Sequence, residues 1–85
     1  MATKTKVTKT TLSNLIESQD YKCALTGVEL NPQDASLDHD VALSRGGDDS
    51  IENCQIVHKV INRMKGSLST KEFVEWCSMV VDLSR

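Results

Sequence analysis

An α+β domain is the fold class the chain predicts, and three observations carry that prediction. Two short segments with strand character, Ser36 to Leu43 and Gln55-Ile56-Val57, flank a polar loop that contains Gly46-Gly47. Apolar residues recur at helical spacing before them, at Leu12, Leu15 and Ile16, and after them, at Phe73, Trp76, Cys77 and Val80. A short helix follows the second strand directly, from Val57 to Lys65. The expected architecture is a small β-β-α core with flanking N- and C-terminal helices.

Each element has a local cause. Residues 1–10 are polar and rich in Lys and Thr, and read as a loose tail, leaving residues 11–85 as one folded domain. Thr11 or Ser13 is placed to cap the first helix, which should fade near Ser18–Asp20. Thr26-Gly27 and Asn31-Pro32 are turn signals. On the short helix Val57, Val60, Ile61 and Met64 make an apolar face, and His58, Asn62 and Lys65 make the other. Gly66 is its expected C′ residue. Ser69 and Glu72 fit a capping box that opens the last helix. That helix is the expected packing partner of the short one, with Phe73 and Trp76 in the core.

Eighty-five residues make one small domain. Such a chain buries only about 60–65% of its unfolded surface, and a stability of roughly 4–13 kcal/mol is expected. No apolar run approaches the ~20 residues of a membrane span, and no secretory h-region is evident. The three cysteines, Cys23, Cys54 and Cys77, are an odd number without a C-x-x-C pair, which argues against a disulfide framework. They are expected as small buried hydrophobes in a reducing, cytoplasmic compartment. Net charge is −2, unevenly placed: +2 over residues 1–22, −6 over 29–52 and +2 over 53–85. The acidic middle suits a cation. A calcium loop is excluded there, because Leu43 stands where an EF-hand needs Gly and Ala42 where it needs a ligand.

The chemistry-bearing residues come in one order: Asp38-His39, Arg45-Gly46-Gly47, Glu52-Asn53, then Asn62-Arg63-x-Lys65-Gly66. Fourteen positions separate His39 from Asn53, and nine separate Asn53 from Asn62. This pattern resembles the HNH endonuclease family, over roughly residues 21–77. The resemblance implies a ββα-metal finger that hydrolyses DNA phosphodiester bonds with one divalent ion, Mg²⁺ or Mn²⁺. It implies His39 as general base, Asn53 as a brace that orients His39, and Asp38 and Asn62 as metal ligands. A histidine suits the first role because it titrates near neutral pH. Arg45, Arg63 and Lys65 are expected at phosphates. His58 stays open between a third metal ligand, a phosphate contact and a helix-surface or packing residue. Asp38 and His39 are adjacent, so on a regular strand they point to opposite faces; serving one site requires the strand to end or bulge there.

Many members of that family carry two C-x-x-C knuckles around a structural zinc. Here those positions read Cys23-Ala24-Leu25-Thr26 and His58-Lys59-Val60-Ile61, so no structural zinc is expected. Packing by Val57, Ile61 and the last helix should take its place. DNA is the implied partner, in a bacterial or phage-infected cell. The net negative charge suggests a further protein or larger assembly that delivers it, since phosphate contacts normally supply affinity. A non-catalytic binding module with the same fold is the alternative, or the nuclease domain of a larger targeting protein.

Overall fold

A computed structural model describes residues 7–85, so most of the expected N-terminal tail lies outside the described residues. The order is α1 (Lys9–Ser18), β1 (Ala35–His39), β2 (Cys54–His58), α2 (Lys59–Lys65) and α3 (Thr70–Ser84). This is a small α+β domain with a two-stranded antiparallel sheet and a helix running straight on from β2, as the sequence predicts. The first helix begins slightly early because Thr8, not Thr11 or Ser13, is its cap: Thr8 Oγ1 accepts the Thr11 N–H. Gly66, at φ +56°, and the Ser69–Glu72 capping box close and open their helices as expected.

β1 and β2 pair in the register Ala35↔His58, Leu37↔Ile56 and His39↔Cys54. The expected first strand ends four residues early, at His39. The following residues turn through the Gly46-Gly47 loop, where a Cβ on Gly47 would stand 1.8 Å from the Val41 carbonyl oxygen. Only glycine lets the chain double back at that spot.

Ile56 turns both its backbone groups away from β1. Its N–H donates to Gln19 Oε1 at 2.9 Å, and its carbonyl accepts from Gln19 Nε2 at 2.8 Å. Leu37 and Ile56 are therefore a non-hydrogen-bonded pair, and by alternation so are His39 and Cys54. On the far side, Asn62 Nδ2 donates to the Leu37 carbonyl at 3.0 Å and Lys65 Nζ to the His39 carbonyl at 3.0 Å.

The core is thin: Cys23, Ile56, Val57 and Phe73 are its buried apolar residues. The short helix departs in part from expectation: Val57 just before it is buried and Ile61 is half-buried, as expected, but the rest of its inward side is polar. Asn62 and Lys65 face the sheet, while Val60 and Met64 are exposed. The cause lies in β1, where Ser36 and Asp38 present polar groups that need polar partners. Trp76 also departs from the expected core, at 58% exposure, while Phe73 is buried. One stripe of α3, Phe73, Cys77 and Val81, lines an open apolar groove with Leu25 and Ile61; Val74, Trp76, Met79, Val80, Val81 and Leu83 are exposed.

Candidate metal centre

His39 is the last residue of β1, and its ring meets the loop that joins the strands. His39 Nε2 lies 2.8 Å from Asp49 Oδ1. In a neutral ring this contact puts the proton on Nε2, which donates to the carboxylate, and leaves the lone pair on Nδ1. Cys54 stands directly across from His39 in the close, non-hydrogen-bonded type of pair. Ligand atoms of His39, Asp49 and Cys54 all lie within 4.8 Å of one another, so the three could hold a metal ion. Cys54 is a free, half-buried thiol. Burial first, then the charges of Asp49, Asp48, Asp38 and Glu52, push its pKa up. A bound cation would reverse that preference.

Asn53 holds the loop in shape. Its Oδ1 accepts the Val41 N–H at 2.9 Å, and its Nδ2 donates to the carbonyls of Val41 at 3.0 Å and Asp48 at 2.8 Å. The Asp40 N–H donates to the Asn53 carbonyl, which ties the chain just after His39 to the start of β2. Asp48 in turn accepts from the Ser50 hydroxyl at 2.6 Å. These bonds place the Asn53 carboxamide across the loop, where the resemblance implies a brace. They act on the His39 backbone neighbourhood and on Asp49, not on the imidazole itself.

The other expected ligands are placed elsewhere. Asp38 is 2% exposed, and both its carboxylate oxygens are engaged: Oδ1 by Lys65 Nζ at 3.1 Å and Oδ2 by Gln55 Nε2 at 2.8 Å. Asn62 Nδ2 donates to Ser36 Oγ at 2.6 Å and to Leu37 O. β1 stays regular through Asp38, so its side chain and that of His39 lie on opposite faces of the sheet. Asp38 and Asn62 thus do not fit an open ligand pair beside His39. Oxygen donors near His39 come from Asp49, a residue the sequence reading passed over within the acidic run.

His58 lies at the opposite end of β2 from Cys54, four residues or about 13 Å along the strand. It caps α2: its Nδ1 accepts the Val60 N–H at 3.1 Å, and Asp34 stands 3.9 Å from its Nε2. Among its three open readings, this is the structural one. Cys23 is buried, and its sulfur accepts the His58 N–H at 3.4 Å.

The three expected phosphate contacts also diverge. Lys65 is 1% exposed and enclosed with Asp38, because a buried carboxylate needs a counter-charge. Arg45 donates to the Ser67 carbonyl and pairs with Glu72. The Arg45 guanidinium holds the Glu72 carboxyl well below its usual value, at about 2, helped by the Ser69 N–H. Arg63 is exposed on α2. No protein-family model matches the chain, and no curated protein is significantly similar to it.

Proposed function

We propose that the chain is a divalent-metal-dependent endonuclease of the HNH type, cutting phosphodiester bonds in DNA at a site centred on His39. The observation that carries this reading is the His39–Asp49 pair at the end of β1, on a loop braced by Asn53. A histidine oriented by a carboxylate is the usual arrangement for general-base work. In this scheme neutral His39 takes a proton from water at Nδ1. The hydroxide attacks phosphorus in line, the P–O3′ bond breaks, and the 3′ oxygen leaves to be protonated from solvent. Asp49 holds the ring and stabilises the imidazolium that forms. A hard divalent ion held through Asp49 oxygens and water would supply counter-charge for the phosphate and the departing oxygen.

Two of the three residues expected at phosphates are engaged within the fold. Of the three basic residues expected at phosphates, Arg63 is the one neither buried nor ion-paired among the described residues. A partner protein or larger assembly that presents DNA therefore belongs to the proposal. A second reading, a non-catalytic binding module, draws on the enclosed Asp38–Lys65 pair, which removes an expected ligand.

Plasmid incubated with Mg²⁺ or Mn²⁺ should be nicked, with EDTA abolishing the effect. His39→Ala should lower cleavage by at least ~10²-fold while the fold persists. Equal cleavage by that variant would remove His39 from the mechanism. A complete lack of metal-dependent nicking at high protein concentration would favour the binding module.

A further inference from the structure

The third member of the cluster does not belong to magnesium chemistry. Mg²⁺ takes oxygen ligands in near-octahedral geometry and has little affinity for sulfur. Imidazole, carboxylate and thiolate together are a donor set for a borderline ion, above all Zn²⁺. Ligand atoms around a tetrahedral zinc stand roughly 3.3–3.7 Å apart. The 2.8 Å separation of His39 and Asp49 and the 4.8 Å limit for all three atoms bracket that spacing. Small side-chain rotations would close the site, since the backbone already sets His39 and Cys54 opposite each other.

We propose that His39, Asp49 and Cys54 form a Zn²⁺ site, and that its occupancy switches off the hydrolysis proposed above by withdrawing the His39 imidazole. The switch rests on the nuclease reading; the zinc site does not. A neutral imidazole has one lone pair, so whichever ring nitrogen binds the ion, none remains to accept a proton from water. On binding, Cys54 loses its thiol proton to solvent and bonds through sulfur, and His39 keeps its single proton on the other nitrogen. Three protein ligands leave a fourth position to water. Mg²⁺, indifferent to the thiol, leaves His39 free to act.

Cobalt reports this directly. The full chain, stripped with EDTA, is titrated with Co²⁺ and followed for a thiolate-to-cobalt charge-transfer band and tetrahedral visible absorption. One ion per chain is expected, displaced by Zn²⁺. Cys54→Ser should abolish the thiolate band and weaken Zn²⁺ at least ~100-fold, the upper end of what even an outer-shell loss costs. Cys77→Ser should leave the band in place. Asp49→Asn, on the exposed loop, is a second variant and should weaken Zn²⁺ with circular dichroism unchanged. No thiolate band in the wild type, or a band that survives Cys54→Ser, overturns the site. Cleavage with Mg²⁺ is then measured against rising Zn²⁺, each variant relative to its own zinc-free rate. Half-inhibition should follow the wild-type zinc affinity and move to higher Zn²⁺ in Cys54→Ser. Zinc that binds without inhibiting, or that itself supports cleavage, overturns the switch. A chain that shows the band but never cleaves with Mg²⁺ sinks the nuclease reading, and with it the switch, while the zinc site stands.

Discussion

Asp38 shows how one residue's surroundings decide its role. Beside His39 in the sequence it invites a ligand assignment, yet its carboxylate is closed in by Lys65 and Gln55. The ammonium of Lys65 also reaches the His39 carbonyl, so this pair fixes the backbone of the residue proposed as the base. Removing one partner of a buried ion pair leaves the other charged and uncompensated, at a cost of about 3–5 kcal/mol. Lys65→Met should therefore lower the unfolding free energy by that amount, a large share of what an 85-residue domain has. Urea unfolding followed by circular dichroism measures it. A change below about 1 kcal/mol would mean that Lys65 stays solvated and free for phosphate, as the sequence pattern suggests. The enclosure was not legible in the sequence, because residue order does not say which face of β1 meets α2.

The connecting loop is the element on which the site depends, and it was the most legible part of the chain. Gly46-Gly47 and Asn53 stand out in the sequence, and the structure gives each a clear duty. Gly46 has φ +90°, Gly47 lies under the Val41 carbonyl, and the Asn53 side chain ties Val41 to Asp48. Asp49 was hidden among similar carboxylates; only the closed loop distinguishes it from Asp48 by setting it against His39. Gly47→Ala forces the loop open by more than a side chain can absorb. It should cost about 1–3 kcal/mol by overpacking, lower cleavage together with the His39–Asp49 contact, and leave helix content intact. Thermal unfolding beside a nicking assay tests this, and full activity with an unchanged melting temperature would contradict it. The faces of α2 were read only in part, for a related reason: Ile61 is half-buried as expected, but Asn62 and Lys65 turn inward and Val60 and Met64 outward. Periodicity locates a stripe, but the polar side chains of Ser36 and Asp38 determine which stripe turns inward.

Across the molecule, α3 is held to the rest partly by carboxylates near the surface. Asp40 Oδ1 accepts the Thr70 N–H at 2.9 Å, and Glu72 pairs with Arg45. The Thr70 N–H and hydroxyl lower the Asp40 pKa, and Arg45 lowers that of Glu72 to about 2. Both folded-state values lie below their ordinary ones, so the unfolded chain takes up these protons first. The stabilisation is fully present above about pH 4.5 and is lost as pH falls towards 2. Acid titration should thus loosen α3 over that window. Trp76, exposed on α3, serves as a fluorescence probe beside far-UV circular dichroism. Arg45→Gln should shift the loosening to higher pH, and an identical profile would exclude this anchor. Trp76 was misjudged from the sequence because α3 is apolar on more than one side, and a helical pattern alone does not say which side finds a neighbour.

The glutamine at the end of α1 has a consequence for how this small sheet meets other molecules. Its side-chain amide occupies the outward backbone groups of Ile56, while Asn62 and Lys65 occupy the outward carbonyls of Leu37 and His39. The centre of the ribbon is thus hydrogen-bonded on both margins without a third or fourth strand. A two-stranded ribbon is otherwise a template for intermolecular pairing. Here an incoming peptide finds those positions filled, which disfavours strand pairing at the centre of the ribbon. Recognition by strand addition is closed at that point, and contacts with other molecules fall to the loop and helix surfaces.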